Sequence, residues 1–105
     1  MSEEEQNPPP PISAVLYAIS KHIATKCSKE NKAFADCKAR DANPEMCLQQ
    51  GDAVTGCVVD LLKDLNQRAP DELKSYYECL DYFSNSFPKC RKEQKTFEEK
   101  APPTP

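Results

Sequence analysis

Six cysteines are the residues of this chain whose type and spacing could carry chemistry. A cysteine thiolate can act as a nucleophile, bind a soft metal or join a second cysteine in a disulfide. Nine residues separate the first and second cysteines, nine separate the third and fourth, and ten separate the fifth and sixth. They are Cys27, Cys37, Cys47, Cys57, Cys79 and Cys90. Zinc fingers and thiol oxidoreductases use cysteines about two to four residues apart, so this spacing favours structural disulfides.

Helix geometry restricts how the first four cysteines can pair. Residues ten positions apart on one helix are about 15 Å apart, whereas a disulfide requires Cα atoms about 4 to 7 Å apart. The bridges must therefore cross between two helices. In an antiparallel hairpin the two equal spacings let both bridges form in one register, as an inner bridge from Cys37 to Cys47 and an outer bridge from Cys27 to Cys57. The other pairings of these four cysteines do not satisfy that geometry.

The last two cysteines predict a second, singly bridged hairpin. Cys79 and Cys90 flank the sequence SNS at positions 84–86, which favours a turn, and we predict a bridge between them. About ten positions further out on each helix, where another bridge would complete the hairpin, are Ala69 and Ala101. Most aromatic residues lie in this half of the chain, namely Tyr76, Tyr77, Tyr82, Phe83, Phe87 and Phe97. We expect their packing to substitute for the absent bridge.

The elements that must position these cysteines are all predicted to be helices. Apolar residues recur at helical spacing, first in the stripe Ile12, Val15, Leu16, Ile19 and Ile23. We predict helices over residues 13–40, 44–67, 71–84 and 88–100. Asn43 is a good N-cap for the second helix and Pro44 suits its first position. The fold class is therefore all-α, with two consecutive disulfide-stapled antiparallel helical hairpins.

Composition divides the chain into two hairpins and two tails. Residues 1–11 form an acidic, proline-rich arm and residues 101–105 a proline-rich tail, both expected to be extended or disordered. The first hairpin covers residues 12–68 and the second covers 69–100.

The second predicted helix contains two glycines, Gly51 and Gly56. Each costs about 1 kcal/mol relative to alanine in a helix. They either permit the close approach of another backbone or are weak positions that a stapled helix tolerates.

Charge and hydropathy exclude several classes of function. The net charge of −3 and the isoelectric point near 5.2 argue against a nucleic-acid partner. No segment approaches the roughly 20 apolar residues of a membrane-spanning helix. If all six cysteines are bridged, the single histidine, His22, has no free thiol to activate. The adjacent acidic residues that could resemble an acid–base pair lie in segments expected to be solvated, at positions 3–5 and 98–99. We therefore predict no enzyme activity, no catalytic residue, no cofactor and no metal.

Disulfides need an oxidising compartment, yet residues 1–11 show neither a secretory signal nor a cleavable presequence. This combination predicts the mitochondrial intermembrane space. The doubled spacing also resembles the twin C-x9-C (coiled-coil-helix-coiled-coil-helix) family of that compartment. Within it, about residues 12 to 100 resemble the nineteen-kilodalton accessory subunit family of respiratory complex I (NADH:ubiquinone oxidoreductase), in its short plant and algal form. Four segments carry the resemblance: SAVLYAISKHIATKC, ENKAFADCKARDANPEMC, GCVVDLLKDLNQ and CRKEQKTFE.

The resemblance implies a structural, non-catalytic subunit, peripheral on the inner membrane at the intermembrane-space face of the membrane arm. Its partners would be core membrane and accessory subunits of complex I, and the disulfide relay during import. Members usually carry two further cysteines, whose positions here are Ala69 and Ala101, so both partners of one bridge are absent together. The expected contacts with neighbouring subunits are Ile12, Val15, Leu16 and Tyr17, together with the proline arms and the exposed aromatic residues of the second hairpin. The alternative function is a soluble intermembrane-space assembly factor that is not retained in the mature complex.

Overall fold

The computed structural model describes residues 9–103, and within them every regular element is helical. Six α-helices follow one another along the chain: α1 (Ser13–Ala18), α2 (Ser20–Lys26), α3 (Ser28–Arg40), α4 (Leu48–Arg68), α5 (Pro70–Tyr82) and α6 (Arg91–Lys100). Helices α3 and α4 form the first hairpin and α5 and α6 form the second. The predicted all-α, hairpin architecture is confirmed. Most of the acidic arm and the last two residues of the tail lie outside the described residues.

The first predicted helix is wrong in one respect, because it is not continuous over residues 13–40. The structure divides it into α1, α2 and α3, with bends at Ile19 and Cys27. Neither bend contains proline or glycine, and hydrogen bonds from N–H to the carbonyl four residues earlier continue at Ile19, Ile23 and Cys27. Packing accounts for the bend at Ile19 but not for the bend at Cys27, where α2 and α3 both lie against α4. At Ile19, α2 lies against α4, whereas α1 lies against α5 of the second hairpin. A straight helix could not follow both partners.

Each returning helix of a hairpin begins with a short 3₁₀ turn that ends at a bridged cysteine. These turns are Pro44–Cys47 and Phe87–Cys90. The predicted N-cap is confirmed, since the side-chain Oδ1 of Asn43 accepts the backbone N–H of Glu45 at 3.1 Å. The α-helix proper nevertheless starts only at Leu48, later than the capping residues suggest. The tighter turn brings the cysteine round to face its partner helix.

The turn between α5 and α6 uses left-handed backbone at two non-glycine residues. Ser84 has φ 55° and Asn85 has φ 64°. The N–H of Asn85 donates to the carbonyl of Leu80 at 2.6 Å, which satisfies an otherwise unpaired carbonyl at the end of α5. The sequence SNS therefore ends this helix as predicted, and the hydrogen bond holds the turn in one conformation.

Both hairpins share one hydrophobic core. Its members come from α1, α4, α5 and α6 and from residues that adjoin the helices, and Ile23 of α2 packs against it. The largest fully buried side chains are Tyr76, Phe97, Ile19, Leu65, Leu73 and Leu80. Because α1 packs against α5, the N-terminal part of the chain joins the second hairpin to the first. The two hairpins are consecutive in sequence but do not have separate cores.

The two glycines of α4 differ in their surroundings. A Cβ atom added at Gly51 would lie 3.3 Å from Cε1 of Phe34, so the absence of a side chain there lets this α3 ring pack closely. A Cβ atom at Gly56 would have no neighbour within 4 Å. Close approach explains the first glycine, and nothing in the structure explains the second.

Substitution of Phe97 tests whether aromatic packing stabilises the second hairpin. Its side chain is fully buried, with its ring centroid 5.9 Å from that of Tyr76 and 5.2 Å from that of His22. We expect Phe97→Ala to lower the free energy of unfolding by about 3–5 kcal/mol, measured by urea denaturation. The control is Tyr82→Ala, which removes a ring that is 80% exposed and should change stability little. Equal stability of the two variants would contradict this role for Phe97.

Candidate functional site

The structure joins the six cysteines in three disulfides between helical segments. Their Cα atoms are 5.9 Å apart in Cys27–Cys57, 6.0 Å apart in Cys37–Cys47 and 6.0 Å apart in Cys79–Cys90. The sequence predicts the same three pairs, the first two from helix geometry and the third from the turn at positions 84–86. The first two lie at the outer and inner ends of the α3–α4 hairpin, and the third closes the α5–α6 turn. No cysteine remains as a free thiol.

One group of side chains near a bridge has the composition of a metal site. The sulfur atoms of Cys79 and Cys90 and a carboxylate oxygen of Glu93 lie within 4.8 Å of one another. Both sulfurs belong to the disulfide, however, and a metal is bound by a thiolate. In its oxidised form this group cannot act as a thiolate metal site.

Both alanines at the positions of the absent fourth bridge are fully buried. Ala69 lies between α4 and α5, where it ends one helix and begins the next, and Ala101 caps the C-terminal end of α6. Other interactions hold this end in its place.

The first of these interactions is a buried hydrogen bond from α2. Nε2 of His22 lies 2.7 Å from the backbone carbonyl of Ala101, and because a carbonyl only accepts, Nε2 carries the proton. Nδ1 is buried without a hydrogen-bond partner. Burial is the main cause that lowers the pKa of His22 below 6.5, and it outweighs the opposing effects of the Ala101 carbonyl and the Glu98 carboxylate. The imidazole is therefore held neutral as a structural donor.

The second interaction is a polar network on the neighbouring surface. Nζ of Lys21 lies 3.1 Å from Oε1 of Glu98, which links α2 to α6. The other oxygen of Glu98 accepts from Nε2 of Gln94 at 3.2 Å, and Oε1 of Gln94 accepts from Arg91 at 2.7 Å. The amide oxygen and the amide nitrogen of Gln94 therefore each have a hydrogen-bond partner in this network. Within α6, Gln94 and Arg91 position Glu98, and the Lys21–Glu98 ion pair adds a contact between α6 and α2 beside the His22 hydrogen bond.

The predicted contact residues at the start of the chain have different environments. Val15 is fully buried in the core, so it faces the interior of this chain instead of a partner. Leu16 is half-buried, whereas Ile12 and Tyr17 are 47% and 45% exposed. Burial of Val15 follows from the packing of α1 on α5. The exposed part of the predicted contact set is therefore reduced to Ile12, Leu16 and Tyr17.

Sequence reasoning did not find the contacts between α2 and α6. Lys21 and Glu98 are 77 positions apart, and His22 and Ala101 are 79 apart. The available signal was weak: a single histidine beside an apolar stripe, and a position where a cysteine pair would be expected. Neither identifies the partner of the histidine.

These features define a class of protein: a small helical-hairpin protein of the twin C-x9-C type, in which disulfides replace much of a hydrophobic core. No protein-family model matches the chain. Two curated proteins of Arabidopsis thaliana are similar to it over 94 residues, which is 90% of this chain. "NADH dehydrogenase [ubiquinone] 1 alpha subcomplex subunit 8-A" is 53% identical, with 87% of its length covered. "NADH dehydrogenase [ubiquinone] 1 alpha subcomplex subunit 8-B" is 51% identical, with 89% covered. The chain belongs to the NADH dehydrogenase alpha subcomplex subunit 8 family.

Hydropathy adds one observation on the relation to a membrane. Across residues 9–103, none of the helices combines the length and the apolar character needed to cross a bilayer.

Differential alkylation tests the state of the cysteines. Since all six sulfurs lie in disulfides, we expect no alkylation of the unfolded, unreduced protein and six alkylated residues after reduction. The measurement is intact mass after treatment with iodoacetamide in denaturant. Two or more reactive thiols before reduction would contradict the pairing and reopen redox or metal chemistry.

The lowered pKa of His22 predicts how the free energy of unfolding depends on pH. Its pKa is lower in the folded state than the 6.5 of an unfolded chain, so the unfolded state binds the proton more readily. Its stabilising contribution is complete above pH 6.5 and is lost as pH falls towards the folded-state pKa, by at most about 1.4 kcal/mol per pH unit.

The control for this prediction is His22→Gln, which can still donate to the Ala101 carbonyl but does not titrate. Chemical denaturation at several pH values between about 7.5 and about 5 should give a smaller loss of stability for this variant. Parallel curves for the two proteins would show that His22 does not cause the dependence.

Proposed function

We propose that this chain is a non-catalytic structural accessory subunit of mitochondrial complex I. In this proposal it lies on the intermembrane-space face of the membrane arm, peripheral to the inner membrane, and supports assembly and stability of the complex. The observation that carries the proposal is its 53% identity, over 90% of the chain, to a protein named as a subunit of NADH dehydrogenase. A match over 94 of the 105 residues spans both hairpins, and 53% identity over that length involves far more residues than the six cysteines.

The use of the reactive side chains supports a structural role. Every cysteine sulfur is consumed in a disulfide, so none is available as a nucleophile. The single histidine is buried and donates to a backbone carbonyl, which leaves it no position from which to activate a substrate. Groups that an enzyme would use in chemistry instead hold the fold together.

The disulfides support residence in the intermembrane space. Three bridges in an 11.8 kDa chain require an oxidising compartment during folding. We propose import through the disulfide relay, in which a carrier forms a mixed disulfide with a cysteine of the incoming chain and leaves as a dithiol once the internal bridge closes. The apolar residues that follow Cys57 would suit docking of the carrier. They are Val58, Leu61 and Leu62. In the folded chain Leu61 and Leu62 are buried, so docking would precede folding.

The shape of the molecule suits contacts with several neighbours at once. Its principal extents are 44, 32 and 25 Å, and the apolar side chains of Ile12, Tyr17, Tyr82 and Phe83 remain exposed. Its partners in this proposal are core membrane and accessory subunits of complex I. A body locked by disulfides would hold such partners at defined distances, which is how it would stabilise the assembly.

Native-gel fractionation of mitochondria, with mass-spectrometric detection of this chain, tests the proposal. We expect the chain to co-migrate with the complete NADH dehydrogenase particle, and its depletion to lower the amount of that particle. A core subunit of the particle followed in the same lanes is the control. Migration only at low mass or with partial assemblies would instead support an assembly factor that is not retained.

A further inference from the structure

Two segments of this highly charged chain contain no charged residue. Charged residues make up 30% of the sequence, yet none occurs at positions 6–20 or at positions 82–88. The first segment includes α1 and the second is the turn between α5 and α6. They are separated by more than half of the chain, so their common property is not the result of local composition.

The fold brings these two segments together. The side-chain amide of Asn85 donates to the hydroxyl of Ser13 at 2.9 Å. The rings of Tyr17 and Phe87 stack with their centroids 5.8 Å apart. Helix α1 also lies along α5. Residues 13–17 of the first segment thus lie against residues 85–87 of the second, at the turn end of the α5–α6 hairpin.

This end carries an exposed aromatic surface, which we define as Ile12, Tyr17, Tyr82, Phe83 and Phe87. Tyr82 is 80% exposed and its ring meets that of Phe83 edge to face, with centroids 4.8 Å apart. Ile12, Tyr17 and Phe83 are exposed too, and Phe87 is half-buried. Apolar side chains collected in this way mark interaction sites more often than the same residues scattered singly.

Charges border the aromatic surface but do not give it a net sign. Nζ of Lys89 lies 5.3 Å from the centre of the Phe83 ring, and Asp81 is exposed on the preceding turn of α5. These two charges are of opposite sign. A partner that carried a strong charge of either sign would find no compensating patch here.

The backbone beneath the surface is held in place before any partner binds. The left-handed conformations of Ser84 and Asn85 and the hydrogen bond from Asn85 to Leu80 define the turn. The Cys79–Cys90 bridge closes the hairpin just below it. Binding would therefore cost little ordering of the chain, which favours affinity.

We propose that this aromatic surface docks onto an uncharged, apolar surface of a neighbouring protein subunit. The inference rests on the proposed function, which supplies an assembly with such neighbours. Enrichment in Tyr and Phe with depletion of charge is the composition of the core of a protein interface. Charge complementarity argues the same, because a partner charge buried here would lose its hydration without gaining an ion pair.

The same charges argue against a lipid surface as the occupant. Segments that bind the surface of a bilayer combine aromatic residues with several lysines or arginines that attract anionic headgroups. Lys89 and Asp81 border this surface with opposite charges, positions 13–20 and 82–88 contain no lysine or arginine, and the chain carries a net charge of −3. A protein surface is the occupant that the observations favour.

Paired charge insertions test the docking surface. The double variant Ile12→Lys with Tyr82→Lys places two charges on it. The matched control, Met46→Lys with Leu48→Lys, makes the same change at apolar residues 59% and 62% exposed on the first hairpin. Each chain would replace the resident copy, and its fraction in the NADH dehydrogenase particle would be measured on native gels. We expect retention to fall about tenfold or more for the first variant and to remain near wild type for the control.

The outcomes separate this inference from the proposed function. Absence of the wild-type chain from the particle would overturn both. A wild-type chain that is retained, together with equal retention of the Ile12→Lys, Tyr82→Lys variant, would overturn the docking surface alone. Loss of the control variant instead would move the contact to the first hairpin.

A photo-cross-linker at position 82 gives a second measurement that does not depend on a destabilised variant. Tyr82→p-benzoylphenylalanine alters only a ring that is 80% exposed. Irradiation of the assembled particle should join this position to a different protein chain. An adduct with lipid, or with a second copy of this chain, would overturn the proposal.

Discussion

Three covalent cross-links are the constraint on which the rest of this structure depends. A disulfide forms only where two backbones approach to about 6 Å, so each bridge sets the register of the two helical segments that it joins. The chain needs this help, since only 38% of its residues are hydrophobic and a domain of this size buries a modest core. Each bridge also removes conformational freedom from the unfolded chain, by about 3 kcal/mol in the entropic model.

Unequal bridging explains where the non-covalent interactions are concentrated. The first hairpin has bridges at both ends, whereas the second has one beside its turn and none at Ala69 and Ala101. The free end of α6 is where His22 donates to a backbone carbonyl and where Lys21 pairs with Glu98. These contacts come from α2, which the bend at Ile19 separates from α1. The same bend lets one predicted helix serve both hairpins.

The structure thus uses its chemically capable residues to hold its shape and leaves other residues to face its surroundings. Cysteine and histidine side chains are bonded and mostly buried, while tyrosine and phenylalanine of one hairpin end remain exposed. Such a division suits a subunit whose contribution to a large assembly is a rigid contact surface.

Local patterns in the sequence were sufficient for the helical class and the cysteine pairing, although not for the bends at Ile19 and Cys27 or the 3₁₀ turn before α4. Helical periodicity, the Asn43 cap and the SNS turn act over a few residues, and the disulfide geometry allows one nested arrangement of equal spacings. Family membership could likewise be recognised from the cysteine spacing and four segments of sequence. Each of these rests on rules that operate within one helix or one hairpin.

Only the tertiary structure decided how the hairpins fit together. It placed Val15 in the core, bent the first helix at Ile19 and Cys27, and brought Tyr17 beside Phe87. These outcomes depend on contacts between residues far apart in sequence, and the period of an apolar stripe shows that a face is buried without showing which helix covers it. The sequence by itself determined the helices and their covalent links, and long-range packing determined which side chains the finished molecule leaves for a partner.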